Sequence, residues 1–197
     1  ACPNSQVVAA YDINTTANKI YTYNFPETAL CQNNIQAIST KHLEKLNAQL
    51  WTMSPPCQPF TKKGSQQGID DHRCDSFMAL LEKLKQMKNR PRLIFLENVL
   101  GFETSSVHKE LISTLTELQY GPDFVDGNRL TAEALADEEV LHDVVRLFSP
   151  REVANLMCFP MEFKRPADAT DKQLYRCLGN SVNVRVVAAL LSKLLHN

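Results

Sequence analysis

Met53-Ser54-Pro55-Pro56-Cys57-Gln58-Pro59-Phe60 is the stretch on which the reading of this chain turns. It follows directly on Leu50-Trp51-Thr52-Met53, an apolar, strand-prone run. Three prolines flank one thiol. Each fixes its own φ near about −65° and pushes the residue before it toward extended geometry. The direction of the Cys57 sulfur is therefore set by the covalent frame. A cysteine that only fills space has no need of such a frame. A nucleophile does, because misplacement by about 1 Å can cost on the order of 100-fold in rate. The tetrapeptide Pro-Pro-Cys-Gln also suits a proline-rich turn around a buried cysteine, and alone it does not choose between the two.

Two further segments bear on that choice. Arg92-Leu93-Ile94-Phe95-Leu96 is a near-continuous apolar run of the kind found in buried parallel strands, and it ends in Glu97-Asn98-Val99. Open α/β sheets place ligand-binding groups at such strand ends, although a Glu there can also simply close the strand by meeting solvent. Near the C-terminus, Leu178-Gly179-Asn180-Ser181-Val182-Asn183-Val184 opens a helix-like stretch, Val182–Leu195. Asn180 or Ser181 would serve as its N-cap, and an ordinary helix start would look the same.

In this order the three segments resemble the cytosine-5 methyltransferases, and the resemblance covers most of the chain. PPCQPF is similar to that family's catalytic loop, ENV to its second catalytic strand end, and GNSVNV to its closing cofactor-pocket motif. Ser54–Phe77, Glu97–Ser106 and Phe148–Val184 resemble one branch in particular. That branch carries the name of a DNA methyltransferase homologue but methylates tRNA, at an anticodon-loop cytosine of aspartate tRNA. The resemblance implies a three-layer, Rossmann-like α/β sheet of the S-adenosylmethionine-dependent methyltransferase type, with helices on both faces. It implies S-adenosylmethionine as cofactor and S-adenosylhomocysteine as product. Cys57 and Glu97 would be the catalytic residues. Asp12 would take the ribose hydroxyls, with Ile13 beside it, and Ile35 and Gln36 would flank the adenine. Ser54 and Pro56 would sit below the cofactor, and Asn180, Ser181 and Val182 at its methionyl end. Gln58, Arg73 and Asn98 are the expected substrate contacts. tRNA is the expected partner, with DNA as the alternative.

The chemistry asks for these residue types. Cytosine C5 is a poor nucleophile until a thiolate adds at C6, which is the role expected of Cys57. A free cysteine has a pKa of about 8.5, so local positive potential is needed. A carboxyl group on N3, from Glu97, stabilises the charge that develops on the ring. The target base must also leave its stack, which is easier in a loop than in a duplex.

The chain departs from the family as well. Its six glycines include no Gly-x-Gly pair, so the family's Gly-rich cofactor loop has no counterpart here. The base-contacting Gln-x-Arg-x-Arg motif and most of the target-recognition region are likewise missing, and Tyr120–Val144 stops following the family. The sheet is therefore expected to be incomplete. Either the chain is a truncated form or it joins pieces of a longer protein. The expected division is a catalytic core over 1–120, a remnant of the target-recognition region over 121–148, and C-terminal helices returning to the core over 149–197. A non-catalytic scaffold or RNA-binding relative is the reading of a different class.

Composition fits a globular protein: 197 residues, 44% hydrophobic, enough for one real core. Lys+Arg 21 against Asp+Glu 22 gives a net charge of −1, so the overall balance does not itself argue for RNA. Lys62, Lys63, His72 and Arg73 form either a local basic patch after Cys57 or a solvated loop. Six cysteines show no Cys-x-x-Cys and no metal-like cluster, which favours a reducing compartment; a cytoplasmic monomer is expected, with the nucleus as a second location. No metal is expected. Nor is a membrane span, since no run approaches about 20 apolar residues.

Local patterns give an alternating α/β order. Gln6–Tyr11, Leu50–Met53 and Leu93–Leu96 read as strands. Asn14 caps a helix over Thr15–Tyr23, and Ser39 caps a second through Leu46. Asp75 or Ser76 opens a helix with Phe77, Leu80, Leu81, Leu84 and Met87 on one face. Val107–Leu118 is a further helix, and Ser149-Pro150 starts another. The last helix is expected to bury Val186, Val187, Leu190, Leu191 and Leu194. Strands separated by helices indicate a parallel sheet.

Overall fold

The computed structural model describes residues 5–55, 74–98, 102–121 and 148–196. In chain order these form β1 (Ala10–Tyr11), α1 (Thr15–Asn24), β2 (Leu30–Cys31), α2 (Thr40–Lys45), β3 (Leu50–Met53), α3 (Asp75–Gln86), β4 (Leu93–Leu96), α4 (Ser106–Glu117), α5 (Pro150–Leu156), α6 (Asp171–Gly179) and α7 (Val184–His196). One-turn 3-10 helices stand at Ile35–Ala37 and Phe102–Thr104. Both strand pairs are parallel. β1 pairs with β2, and β3 pairs with β4 in the register Leu50↔Leu93 to Met53↔Leu96. The α/β alternation and the parallel pairing of the two central runs are as the sequence indicates. The described strands form two separate pairs, not one continuous sheet.

The helix starts follow local side-chain chemistry. Asn14 accepts from the Thr16 and Ala17 N–H groups at 3.1 Å, and Ser39 from His42 N–H at 3.2 Å. Ser149 and Glu152 form a reciprocal capping box with Pro150 at the first helical position. Such caps are worth about 0.5–2 kcal/mol each by satisfying orphan donors.

Two apolar clusters hold the elements together. In the larger, Phe77, Leu81, Leu84 and Met87 of α3 and its C-terminus meet Val107, Leu111 and Leu115 of α4. Trp51, Met53, Ile94 and Leu96 of the β3–β4 pair and Tyr11 and Cys31 of the β1–β2 pair pack against the same cluster. The smaller joins Ile20 of α1 to Ala154, Leu174 and Leu178, so α5 and α6 pack on α1. Asn24 reinforces this junction, donating to the Lys164 carbonyl at 2.9 Å and accepting from Lys164 N–H at 2.7 Å. Full burial of one such aliphatic side chain contributes about 1.5–3 kcal/mol.

Three expectations are corrected. The first strand is Ala10–Tyr11 and not Gln6–Tyr11: its partner β2 offers only two residues, and Val7 and Val8 are exposed. The final helix begins at Val184, because Asn183 accepts from the Arg185 and Val186 N–H groups at 3.0 and 3.3 Å. Asn180 and Ser181 instead close α6. The Asn180 N–H donates to the Arg176 carbonyl, and the Ser181 hydroxyl to the Leu178 carbonyl at 2.6 Å. The third correction concerns the face of α7. Val187, Leu190, Leu191 and Leu194 are half-buried and Val186 is exposed, since α7 belongs to neither cluster. Asp171–Leu195 passes, by length and composition alone, for a stretch that could cross a membrane. It is two helices, however, broken at 180–183 by the caps just described.

The turn feeding β4 is anchored by Glu44 of α2, whose carboxylate accepts from Lys88 N–H at 2.6 Å and Asn89 N–H at 3.2 Å. Arg90 donates to the Leu84 carbonyl at 3.0 Å, and the Tyr120 hydroxyl donates to the Pro91 carbonyl. The Lys88 and Asn89 N–H groups hold the Glu44 carboxyl below its usual pKa. The folded state therefore binds this proton more weakly than the unfolded chain. The contact's stabilisation is complete above about pH 5 and is lost as pH falls through the lowered Glu44 value. Glu44→Gln should flatten the acid limb of stability against pH, read from urea midpoints at stepped pH. Equal slopes for the two proteins would show that the Glu44 anchor does not form in solution.

Candidate active site

The parallel pairing of β3 and β4 brings two of the sequence's chemical segments to one edge. The Leu93 N–H donates to the Gln49 carbonyl, and four residues on, the Glu97 N–H donates to the Met53 carbonyl, both at 3.0 Å. Glu97 thus continues the ladder one step past β4 and is half-buried where the strand leaves the sheet. Ser54 and Pro55 leave β3 alongside it. The Asn98 side-chain amide donates to the Pro55 carbonyl at 3.3 Å. Ser54, Glu97 and Asn98 therefore share one end of one strand pair. Pro56, Cys57, Gln58 and Arg73 lie outside the described residues, as does the basic stretch that includes Lys62, Lys63 and His72.

Asp12 follows β1, and its N–H donates to the Cys31 carbonyl at 3.3 Å. Its carboxylate accepts from the Asn14 N–H at 2.8 Å, which closes a tight turn. Asn14, not Asp12, caps α1, so the acid at this strand end is not consumed as a helix cap. Asn18, almost fully buried, donates to the Asp12 carbonyl at 2.8 Å and fixes the turn from behind. Ile13 is exposed. The 3-10 turn that carries Ile35 and Gln36 is capped by Asn34, which accepts from Gln36 N–H at 2.9 Å. α3 ties it down twice: Ser76 donates to the Asn34 side chain at 3.3 Å and Lys83 to the Gln36 carbonyl at 3.1 Å. Ile35 packs half-buried on the main core and Gln36 is exposed.

The turn 180–182 is built from three helices. α6 ends there. The Val184 N–H donates to the Met157 carbonyl at 2.9 Å, and Asn183 donates to the Leu156 carbonyl at 3.1 Å, so the end of α5 holds the start of α7. Asn180 and Val182 are exposed and Ser181 is half-buried. Burial pushes the Cys177 thiol up; Arg176 pulls it down, and the Asp12 carboxylate adds to the upward shift.

Residues of the right chemistry are thus present for an adenosyl cofactor. Asp12 offers acceptor oxygens for a ribose diol, and Ile35 an apolar surface for a flat base. Neither of two cavities among the described residues is lined by Asp12, Ile35 or 180–182. One, of about 450 Å³, is lined by residues including Thr15, Asn18, Lys19 and Asp168, and one of about 210 Å³ by residues including Arg151, Phe163 and Leu174. No group of three or more potential metal ligands occurs among the described residues. The sequence reading passed over Asn18, Asn34, Ser76 and Asn183 as supports of the site. The signal for Asn34 was an Asn directly before a short apolar turn; Asn18 and Ser76 act over distances that only the fold creates.

The fold and the paired strand ends define an α/β enzyme-type scaffold with its chemistry at one sheet edge. The family model described as C-5 cytosine-specific DNA methylase matches residues 3–125 and 126–196, and the chain belongs to that family. The human tRNA (cytosine(38)-C(5))-methyltransferase is 45% identical over 115 residues, 58% of this chain and 29% of that protein. A Dictyostelium discoideum DNA (cytosine-5)-methyltransferase is 42% identical over 118 residues, 58% of this chain and 31% of that protein. The matches thus span less than a third of either relative. The crystal structure of the S. pombe Dnmt2 methyltransferase superposes with a TM-score of 0.78 at 24% identity, covering 98% of this chain and 92% of that one. That likeness establishes the methyltransferase fold. The family match restarts at residue 126, inside the stretch where the sequence stops following the family pattern.

Asp12→Ala should weaken S-adenosylmethionine binding by roughly tenfold or more, the scale of a lost hydrogen bond to a charged group. Calorimetry on the full-length protein would measure it. An unchanged affinity would remove the ribose assignment.

Proposed function

We propose that this chain is the catalytic scaffold of an RNA (cytosine-5-)-methyltransferase that modifies an anticodon-loop cytosine of tRNA, with aspartate tRNA as the substrate. The observation that carries the reading is the β3–β4 register. It seats the Ser54-Pro55 turn, two residues before Cys57, beside Glu97 and Asn98. The tRNA methyltransferase named above supports tRNA over DNA as the substrate. The Dictyostelium relative keeps a DNA substrate as the outcome to be tested against it.

In this mechanism the Cys57 thiolate adds to cytosine C6, forming an S–C6 bond and moving electron density to C5. The Glu97 carboxyl holds N3 and keeps a proton there, which stabilises the charge as it develops. When bound, S-adenosylmethionine supplies an electrophilic methyl group for C5. Loss of the C5 proton to a base then expels the Cys57 sulfur and restores the ring. Asp12, Ile13, Ile35 and Gln36 bind the nucleoside end of the cofactor, Ser54 and Pro56 lie beneath it, and 180–182 hold its methionyl end. Gln58, Arg73 and Asn98 lie on the substrate side.

Labelled methyl transfer by the full-length protein to total tRNA and to duplex DNA tests the reading. Transfer to DNA alone would reverse the substrate, and transfer to neither would favour a non-catalytic scaffold. Cys57→Ala should abolish transfer while leaving cofactor affinity nearly intact, because the thiol acts on the base. Glu97→Gln should keep the geometry and lose on the order of 100-fold in rate. A Cys57→Ala protein that still methylates tRNA would sink the covalent route.

A further inference from the structure

We propose that Ser76 and Lys83 of α3 are positioning residues for the cofactor: together they set the turn over 34–37, and with it the wall against which the adenine lies. The inference rests on the cofactor reading of Ile35 and Gln36 given above.

The turn needs outside support. It is a single 3-10 turn, Ile35–Ala37, between β2 and α2. Its backbone bonds run from Ala37 N–H to the Asn34 carbonyl at 2.9 Å and from Ile38 N–H to the Ile35 carbonyl at 3.2 Å. Such i→i+3 bonds have poorer geometry than those of an α-helix, and one turn gains no cooperativity. Asn34 adds local bonds. It accepts from the Gln36 N–H at 2.9 Å and donates to the Gln36 side-chain oxygen at 3.3 Å. All of these bonds are internal. They fix the shape of the turn and leave its position open.

α3 supplies the position. Ser76 and Lys83 are seven residues apart, close to two helical turns, so they lie on one face about 10 Å apart along the axis. The Ser76 hydroxyl donates to the Asn34 side-chain oxygen at 3.3 Å, and the Lys83 ammonium donates to the Gln36 carbonyl at 3.1 Å. One contact holds the residue before Ile35 and the other the residue after it. Lys83 is half-buried, and its bond to the carbonyl is of the stronger, charge-assisted kind. Ile35 itself packs on the main cluster, to which α3 gives Phe77, Leu81 and Leu84. Three consecutive residues are therefore pinned to one helix and the core it builds. α3 also runs into the anchored turn over 88–91 that feeds β4. The helix that sets the adenine wall is thus fixed to the strand that leads to Glu97. A flat base gains affinity from an apolar surface already in place, and ordering that surface on binding would cost affinity.

The test uses the full-length protein with Lys83→Met, which keeps the stem and removes the donor, Lys83→Arg, which keeps a charged donor, and Ser76→Ala. Calorimetry with S-adenosylmethionine and S-adenosylhomocysteine should show affinity falling by about threefold to tenfold in Lys83→Met and in Ser76→Ala, the scale of one lost hydrogen bond. Lys83→Arg should recover part of it. In tRNA methylation the cofactor KM should rise by the same factor, with kcat at saturating cofactor and the tRNA KM within about twofold, the pattern of lost uniform binding. Ser76→Ala changes no charge, so a loss shared by both variants separates positioning from attraction between the Lys83 ammonium and the cofactor. Hydrogen exchange read by mass spectrometry should be faster by about fivefold or more over 32–39 in both variants, with exchange in α4 unaltered. Unchanged cofactor affinity in Lys83→Met and Ser76→Ala would overturn the proposal, as would unchanged exchange over 32–39. A loss of affinity confined to Lys83→Met would make that residue a charge contact and overturn it too. If the wild-type protein binds neither compound, the cofactor reading fails; the exchange arm needs no ligand and still decides whether α3 sets the turn.

Discussion

The hydrogen bond from Glu97 N–H to the Met53 carbonyl, 3.0 Å long, is the last backbone rung of the β3–β4 ladder among the described residues. Much of the candidate site depends on it. It closes a ladder that sets Leu50–Met53 against Leu93–Leu96 residue for residue. A slip by one residue would turn every side chain of a strand to the opposite face and exchange core for solvent. Trp51, Met53, Ile94 and Leu96 would then leave the main core, and Glu97 would lose its place beside the proline turn. The register is therefore defended by apolar burial on one side and by hydrogen bonds at the strand's entry on the other, where Glu44, Arg90 and Tyr120 hold the turn over 88–91.

A second constraint joins the two ends of the chain. α1 lies between the Asp12 turn and the C-terminal helices, and it serves both. Asn18 on one part of the helix fixes the Asp12 carbonyl, while Ile20 and Asn24 receive α5, α6 and the segment at Lys164. The polar contacts here are backbone-directed amides, which satisfy groups that would otherwise be costly to bury. Through α1, residues 140 positions apart in sequence are hydrogen-bonded, Asn24 to Lys164. α7 stands outside this scheme. It is held at its first turn by α5 but joins neither apolar cluster, so its apolar residues remain half-exposed.

The sequence by itself determined the local elements whose causes are local. Strands β3 and β4 were legible to the residue, because each is a short apolar run bounded by a proline turn or an acid. The starts of α1, α2 and α5 were legible because Asn14, Ser39 and Ser149 are cap residues acting over three positions or fewer. The face of α3 followed from helical spacing. The cap pair Thr170 and Gln173 announces α6 in the same manner, yet that helix went unread because its outer face is polar and the following Gly-Asn-Ser turn drew the helix start forward. What only the tertiary structure decided were the matters of partnership. Val7 and Val8 look like a strand, but a strand needs a neighbour, and β2 reaches only Ala10 and Tyr11. Asn180 and Ser181 look like the cap of the last helix, but they end the one before it by donating to the Arg176 and Leu178 carbonyls, while Asn183 accepts from the first amides of α7. Asn98 reads as part of a motif, and only the pairing of β3 with β4 puts its amide on the carbonyl of Pro55. A side chain's type is written in the sequence; the atom it satisfies depends on which backbone groups the fold leaves without a partner.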